Sequence, residues 1–270
     1  MMRDALPGIE ALRPTDGPLL VAVGVFDGLH RGHLYLLREL RHAARRLAAR
    51  AAVLTFDHHP DEILAGAAPP LLCDPDERLA RLERAGVAVT VVEHFDDALR
   101  RTTYGAFVAS IRGRTALAGF LMTPDAAFGH ERRGTPEMLA ALGAETGFRV
   151  VVVPPFDLAG RQVRSTEIRS AIVAGDLATA RALLGRRVAV TGVVAERDGT
   201  GRAAVVRFPL PVALPPVGTY AATVEAAWAP SLRPGPARRA VAAVEASGVV
   251  AVRAHPEALR HDRLRVAFAR

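Results

Sequence analysis

The sequence contains no lysine and no asparagine, so all 35 of its basic residues are arginine. Each absence removes chemistry. Without lysine there is no Walker A phosphate loop, no protein-kinase strand lysine and no Schiff-base amine. Without asparagine there is no acceptor for an Asn-linked glycan. The single cysteine, Cys73, excludes an internal disulfide and a cysteine-based zinc site, and beside Leu71-Leu72 it reads as packing rather than as a nucleophile. The beginning, Met1-Met2-Arg3-Asp4, lacks the apolar run of a signal peptide. The longest apolar stretches, such as Leu19 to Phe26 and Val150 to Phe156, are too short to span a bilayer. A cytoplasmic protein with no membrane partner is expected.

What is present is the balance of a folded chain. Half of the 270 residues are hydrophobic and 23% are charged, far from the profile of disorder, and the length makes two domains the default. A net charge of +7 invites a nucleic-acid reading. The arginines, however, are spread along the chain and are not interleaved with aromatics in any RNA-binding signature, so a small anionic substrate is expected and no specific nucleic acid. Oligomeric state is not legible.

From Leu19 to Phe26 the residues read as a buried strand, and from about Gly32 to Arg50 apolar residues recur at helical spacing. A second strand, Ala52 to Phe56, completes a βαβ unit with a right-handed crossover. The alternation continues through a helix at Asp76 to Ala85, a strand at Val87 to Val92, a helix at Tyr104 to Arg112 and a strand at Ala116 to Met122. A helix at Pro136 to Thr146 and a strand at Phe148 to Val153 follow. This predicts an α/β doubly wound parallel sheet, whose ligands sit at the carboxyl ends of its strands. Helices at Ser165 to Ala174 and Leu177 to Leu184 close the region, and Gly185-Arg186-Arg187 marks the boundary. Beyond it, short runs at Val188 to Val194, Ala203 to Phe208, Gly218 to Val224, Ala240 to Val244, Val249 to Ala254 and Arg263 to Phe268 predict a small antiparallel β-barrel. The expected domains are therefore 1–185 and 186–270.

The chemistry concentrates after the first strand, in Gly24-Val25-Phe26-Asp27-Gly28-Leu29-His30-Arg31-Gly32-His33. A glycine-bearing turn into a helix offers free backbone N–H groups and the positive end of the helix dipole to an anion, and Gly32 permits a phosphate to approach. His30 and His33 beside it can donate hydrogen bonds to charge that grows during phosphoryl transfer. Asp57, His58, His59, Asp61 and Glu62 read as loop polarity rather than as a metal site, because adjacent histidines rarely point at one ion.

The ten-residue string resembles the GxFDGxHxGH form of the HxGH signature, and so the bifunctional bacterial riboflavin kinase/FAD synthetase family. Further segments match in order: Leu54-Thr55-Phe56-Asp57-His58-His59-Pro60 is similar to its TFxxHP segment, Asp125 with Phe128-Gly129 to its GxDFxFG segment, and Ser165-Thr166-Glu167-Ile168-Arg169 to its STxIR segment. The resemblance implies a HUP-like nucleotidyltransferase sheet followed by the barrel. It implies the reaction of ATP with FMN to give FAD and pyrophosphate, with Mg²⁺ carried on ATP. By the same resemblance His30, His33 and Arg169 are catalytic and Gly24, Phe26, Asp27, Gly32, Ser165 and Thr166 bind ATP. Phe56, His59, Pro60, Asp125 and Phe128 face the flavin, and no resident metal is expected.

The departures from the pattern are local. Thr123-Pro124 stands where a glycine precedes Asp125, Ala126 where an aromatic follows it, and Arg164 and Glu167 differ from the usual residues. The family's PTAN segment aligns with Phe208-Pro209-Leu210-Pro211, which has neither its threonine nor its asparagine. A degenerate barrel without riboflavin kinase activity is the expectation. Two other readings stay open: an adenylyltransferase with another phosphorylated acceptor, and a catalytically weak flavin- or nucleotide-binding regulator.

Overall fold

The computed structural model describes residues 5–228 and 235–269. In chain order the first elements are β1 (Leu6–Pro7), β2 (Leu19–Val23), α1 (Arg31–Arg46), β3 (Arg50–Phe56), α2 (Pro60–Leu64), α3 (Pro75–Arg84) and β4 (Val89–Glu93). There follow α4 (Asp97–Arg101), α5 (Tyr104–Arg112), β5 (Leu117–Met122), α6 (Pro136–Thr146), β6 (Arg149–Val152), β7 (Asp157–Leu158), β8 (Arg161–Gln162), α7 (Ser165–Val173) and α8 (Leu177–Leu184). The last are β9 (Ala189–Arg197), β10 (Ala203–Arg207), β11 (Gly218–Ala226), β12 (Arg238–Val244), β13 (Val250–Ala254), α9 (Pro256–Leu259) and β14 (Arg263–Phe268).

Packing groups the described residues into two compact units. One holds the residues through Phe26, Gly32–Pro69 and Leu82–Asp157; the other holds Asp27–Arg31, Pro70–Arg81 and the chain from Leu158.

The first unit is built on a six-stranded sheet in the order β1-β4-β3-β2-β5-β6, and every pairing in it is parallel. Parallel strands covered on both faces must be apolar along their whole length, and β3 is buried from Ala51 to Phe56. The crossover through α1 carries the chain from β2 to β3 on one side of β2. The crossover through α6 carries it from β5 to β6 on the other. Right-handed crossovers running in opposite directions put their helices on opposite faces, so the sheet is doubly wound and its order reverses between β2 and β5. The helices are delimited by local signals: Thr135 caps α6 by accepting from the Met138 N–H, with Pro136 next and left-handed Gly147 at its end, and Thr103 caps α5 in the same way. The core runs through Leu19, Val21, Leu54, Val91, Ile111, Phe120 and Leu139.

The second unit carries α7, α8 and a closed antiparallel barrel in the order β10-β13-β12-β11-β14-β9. Alternate residues fill its interior, among them Val206, Val224, Ala242, Val252, Leu264 and Val266. Part of α3 also belongs here. Glu77 is buried and pairs with Arg265 at 3.0 Å and with Arg81 at 2.6 Å, and Arg263 reaches Asp74 and Asp76 at 2.8 and 2.6 Å.

The α/β sheet with a following barrel is as expected from the sequence, with shifts at the element ends. The first strand stops at Val23, since Phe26 at φ 53° lies in a turn, and the first helix ends at Arg46, ahead of Ala48 at φ 49°. The elements that patterning did not reveal, β1, β7, β8, α2, α4 and α9, are all five residues or shorter. No helix among the described residues is long and apolar enough to cross a membrane.

Leu40 on α1 is fully buried, and truncating such a side chain typically costs about 2–5 kcal/mol. Leu40→Ala is therefore expected to lower the urea midpoint of the unfolding transition that reports on the sheet by a corresponding amount, read by circular dichroism.

Candidate functional site

At the carboxyl end of β2 the chain is pinned before it turns. The Gly24 N–H donates to the Leu54 carbonyl at 3.0 Å, and the fully buried Thr55 hydroxyl donates to the Val25 carbonyl at 3.1 Å. Phe26 then adopts a left-handed conformation, with its ring 5.2 Å from the half-buried imidazole of His33. A Cβ on Gly24 would lie 3.3 Å from that ring. Leu29, at φ 37°, is the second non-glycine residue of the motif in this region. Such residues cost of order 1–3 kcal/mol each and persist where their surroundings over-determine them, commonly at functional loops. Gly32 and His33 supply the first-turn amides of α1, a turn without any acidic residue, which leaves the positive end of the dipole for an external anion.

Residues 27–31 of the same motif pack in the second unit. Asp27 is 3% exposed. Its carboxylate accepts from the Leu72 N–H with both oxygens, at 3.0 and 3.1 Å, and from Arg169 Nη2 at 2.7 Å, while Arg169 Nε donates to the Pro70 carbonyl at 2.8 Å. Ser165 at the start of α7 donates its hydroxyl to the Asp27 carbonyl at 3.3 Å. The expected ATP-binding residues Asp27 and Ser165 and the expected catalytic Arg169 thus form one network. Gly28 is required within it: its φ is 78°, and a Cβ would come 2.9 Å from Leu72 Cβ. His30 is buried, and desolvation, followed by the Arg186 and Arg169 charges, pushes its pKa down to about 4. At neutral pH it is an uncharged imidazole, a donor of one hydrogen bond rather than a cation. Arg186 itself is half-buried and donates to the Leu29 carbonyl at 3.4 Å. Cys73 is buried and its thiol is pushed up by that burial, in keeping with packing.

A cavity of about 780 Å³ opens at the carboxyl ends of β2, β3 and β5, where the strand order reverses. Its walls are largely aromatic and aliphatic, with Val25, Phe56, Phe95, Phe107, Phe120, Met122 and Phe128, and they also include His59, Pro60, Arg100 and Arg132. Of the residues expected to face a flavin, Phe56, His59, Pro60 and Phe128 line it. Asp125 does not; its carboxylate accepts from the Thr123 hydroxyl at 2.8 Å, and its neighbours Thr123 and Ala126 are the lining residues. His59 also caps α2, its Nδ1 accepting from the Asp61 N–H at 3.2 Å. Gly129 carries the wall past α5 because a Cβ there would meet the Tyr104 backbone nitrogen at 2.5 Å. Phe95, Phe107 and Arg132 escaped the sequence reading. Phe95 follows β4 just past its carboxyl end, a position the sheet topology marks as ligand-facing once the strand is known.

The fold and this edge of the sheet define a nucleotidyltransferase-type α/β domain joined to a small barrel. The model for the family described as FAD synthetase matches residues 12–167 of the 270, and the chain belongs to that family. The bifunctional riboflavin kinase/FMN adenylyltransferase of Escherichia coli is 32% identical over 191 residues, 70% of this chain and 61% of that protein. The protein of the same description from Haemophilus influenzae is 34% identical over 184 residues, 67% of this chain and 60% of that one. The matched part thus spans about three fifths of the length of these relatives. Among solved structures, one from Streptococcus pneumoniae described as a macrolide-efflux protein superposes with a TM-score of 0.80 at 25% identity, covering 99% of this chain and 90% of that one.

Two outcomes follow from the geometry. Asp27→Ala leaves the Arg169 guanidinium, 13% exposed, without its carboxylate, and removing one partner of a buried pair costs about 3–5 kcal/mol. Urea unfolding should show that loss, and combining it with Arg169→Met should cost less than the two changes added. For His30, the unfolded side chain takes up a proton near pH 6.5, which the folded one refuses until about pH 4. Stability is therefore lost as pH falls through that window, to a total of about 3 kcal/mol. Urea midpoints at pH 7 and 4.5 should fall further for the wild type than for His30→Gln.

Proposed function

We propose that the chain is an FMN adenylyltransferase. A phosphate oxygen of FMN attacks the α-phosphorus of ATP, the bond to the bridging oxygen of the β-phosphate breaks, and FAD and pyrophosphate result. The observation that carries this reading is the aromatic-lined cavity of about 780 Å³ at the reversal point of the parallel sheet, large and apolar enough for a flavin ring system. The name shared by the relatives, bifunctional riboflavin kinase/FMN adenylyltransferase, supports it.

In this reading Gly24, Phe26, Asp27, Gly32, Ser165 and Thr166 serve ATP, whose triphosphate carries Mg²⁺. His30, His33 and Arg169 stabilise the charge that develops on it. Phosphoryl chemistry of this kind is mostly positioning and charge neutralisation, so it needs no protein nucleophile. His30, held neutral by burial, donates a hydrogen bond to a phosphate oxygen without first giving up a proton. Asp27 acts through Arg169, fixing the guanidinium that the network presents. Phe56, His59, Pro60 and Phe128, with the segment of Asp125, serve the acceptor. Residues 1–185 are the catalytic domain and 186–270 a barrel without riboflavin kinase activity, in which Phe208-Pro209-Leu210-Pro211 replaces the family's PTAN segment. A cytoplasmic site of action belongs to the same reading.

Ala126 lines the cavity where the family pattern has an aromatic, which favours, as a second reading, a different phosphorylated acceptor. Purified protein is incubated with ATP and Mg²⁺ against FMN, riboflavin and a panel of phosphorylated metabolites. FAD and pyrophosphate in equal amounts from FMN, with no FMN from riboflavin, are expected. Pyrophosphate release with another acceptor alone would favour the second reading, and nucleotide binding without release would point to a regulator. Replacing His30 and His33 with alanine should lower kcat by about 10²-fold or more with an unchanged circular dichroism spectrum, and Phe56→Ala should act chiefly on the KM for FMN.

A further inference from the structure

The loop polarity read at Asp57 and His58 acquires a third member in the folded chain. β3 and β4 are adjacent and parallel, with Phe56 in register with Glu93, and the Asp57 N–H donates to the Glu93 carbonyl at 3.1 Å, so the ladder runs one residue past each strand. That pairing sets His94 beside Asp57 although 37 residues separate them. His94 Nδ1 lies 2.6 Å from one carboxylate oxygen of Asp57 and His58 Nδ1 lies 3.0 Å from the other, with the two imidazole rings 5.7 Å apart at 80°.

We propose that Asp57, His58 and His94 bind a divalent transition-metal ion, with zinc the ion that this ligand set suits best. Two imidazole nitrogens and one carboxylate oxygen, all within 4.8 Å of one another, are the donors of an open three-ligand site with its remaining position left to water. Tetrahedral bonds of 2.0–2.1 Å place neighbouring ligand atoms roughly 3.4 Å apart. The observed separations of 2.6 and 3.0 Å run to different oxygens of the Asp57 carboxylate, so the side chains turn to bring one oxygen and both imidazoles round an ion.

Two further features fit. The mounts are anchored, because Asp57 and His94 each directly follow a paired strand and the Asp57 carboxylate is held by the His58 and Phe95 N–H groups at 2.7 and 3.3 Å. The local field is cationophilic: partial burial opposes charge on Asp57, yet hydrogen bonds from His94 and His58 bring its pKa down to about 2, and Glu93 and Asp96 add negative charge around His94. All three side chains reach solvent, so the ion has a path in. Mg²⁺ favours all-oxygen shells, which separates this site from any magnesium brought by ATP.

The test uses the full-length, tag-free protein and Co²⁺ alone as the spectroscopic probe, with Zn²⁺ as competitor. One Co²⁺ per chain with a visible ligand-field band, displaced by Zn²⁺ and not by millimolar Mg²⁺, is expected, together with a rise in the thermal midpoint on adding Zn²⁺. His58→Ala and His94→Ala should each weaken binding by more than about tenfold, while His42→Ala, an exposed histidine on α1, leaves it unchanged. Both site histidines are exposed, and unchanged circular dichroism verifies that each variant folds. Absence of the band, displacement by Mg²⁺, or undiminished affinity in either site variant would overturn the proposal and leave the cluster as a surface hydrogen-bond pair.

Discussion

A buried carboxylate in the middle of the signature motif is the constraint on which the polar network of the second unit depends. Asp27 has almost no contact with water, so its charge must be met by protein donors, and it is met by the Leu72 amide and the Arg169 guanidinium. Three segments far apart in sequence, the motif turn, the stretch before α3 and the first turn of α7, are thereby fixed against one another. Gly28 follows from the same constraint, since the turn that buries Asp27 brings the backbone too close to Leu72 for a side chain. His30 inherits its uncharged state from this neighbourhood, where burial acts with the Arg186 and Arg169 charges.

In the first unit the organising factor is sheet register. The paired strands β3 and β4 end together at Phe56 and Glu93, and the residues at and just past their ends fall either toward the cavity or away from it. Phe56 and Phe95 meet edge to face at 5.3 Å and line the cavity, whereas Asp57 and His94, their immediate neighbours, pair with each other outside that lining. One ladder thus sets out an apolar wall and a polar cluster from alternate positions. Thr55 extends its influence to the motif by holding the Val25 carbonyl.

The elements legible in the sequence were those whose burial imposes a period: the strands buried on both faces, the amphipathic α1 and α3, and the alternating barrel strands. What escaped was either too short to show a period, such as α2 and β1, or set by pairing between distant segments. Phe107 and Phe120 fall inside an expected helix and an expected strand; that they also bound a cavity depends on the order of strands. His94 is the sharpest case. Nothing in its local sequence marks it, and only the β3–β4 register brings it to Asp57. Within the motif, the sequence showed which residues belong together but not that Asp27 faces inward to Arg169, because the direction of a side chain in a turn follows from left-handed backbone at Phe26 and Gly28.

The margins of the six-stranded sheet and of the barrel carry a consequence for behaviour at high concentration. An exposed strand with unpaired amides and carbonyls is a template for another copy of the chain. In the α/β sheet one margin is the two-residue β1, which ends in Pro7 and can add little to a neighbouring ladder, and the other is the four-residue β6, which begins with Arg149. The barrel closes on itself and has no margin. Strand-to-strand recruitment between molecules is disfavoured at each of these places, so neither margin of the larger sheet nor the barrel offers crowded molecules a foothold for polymerisation.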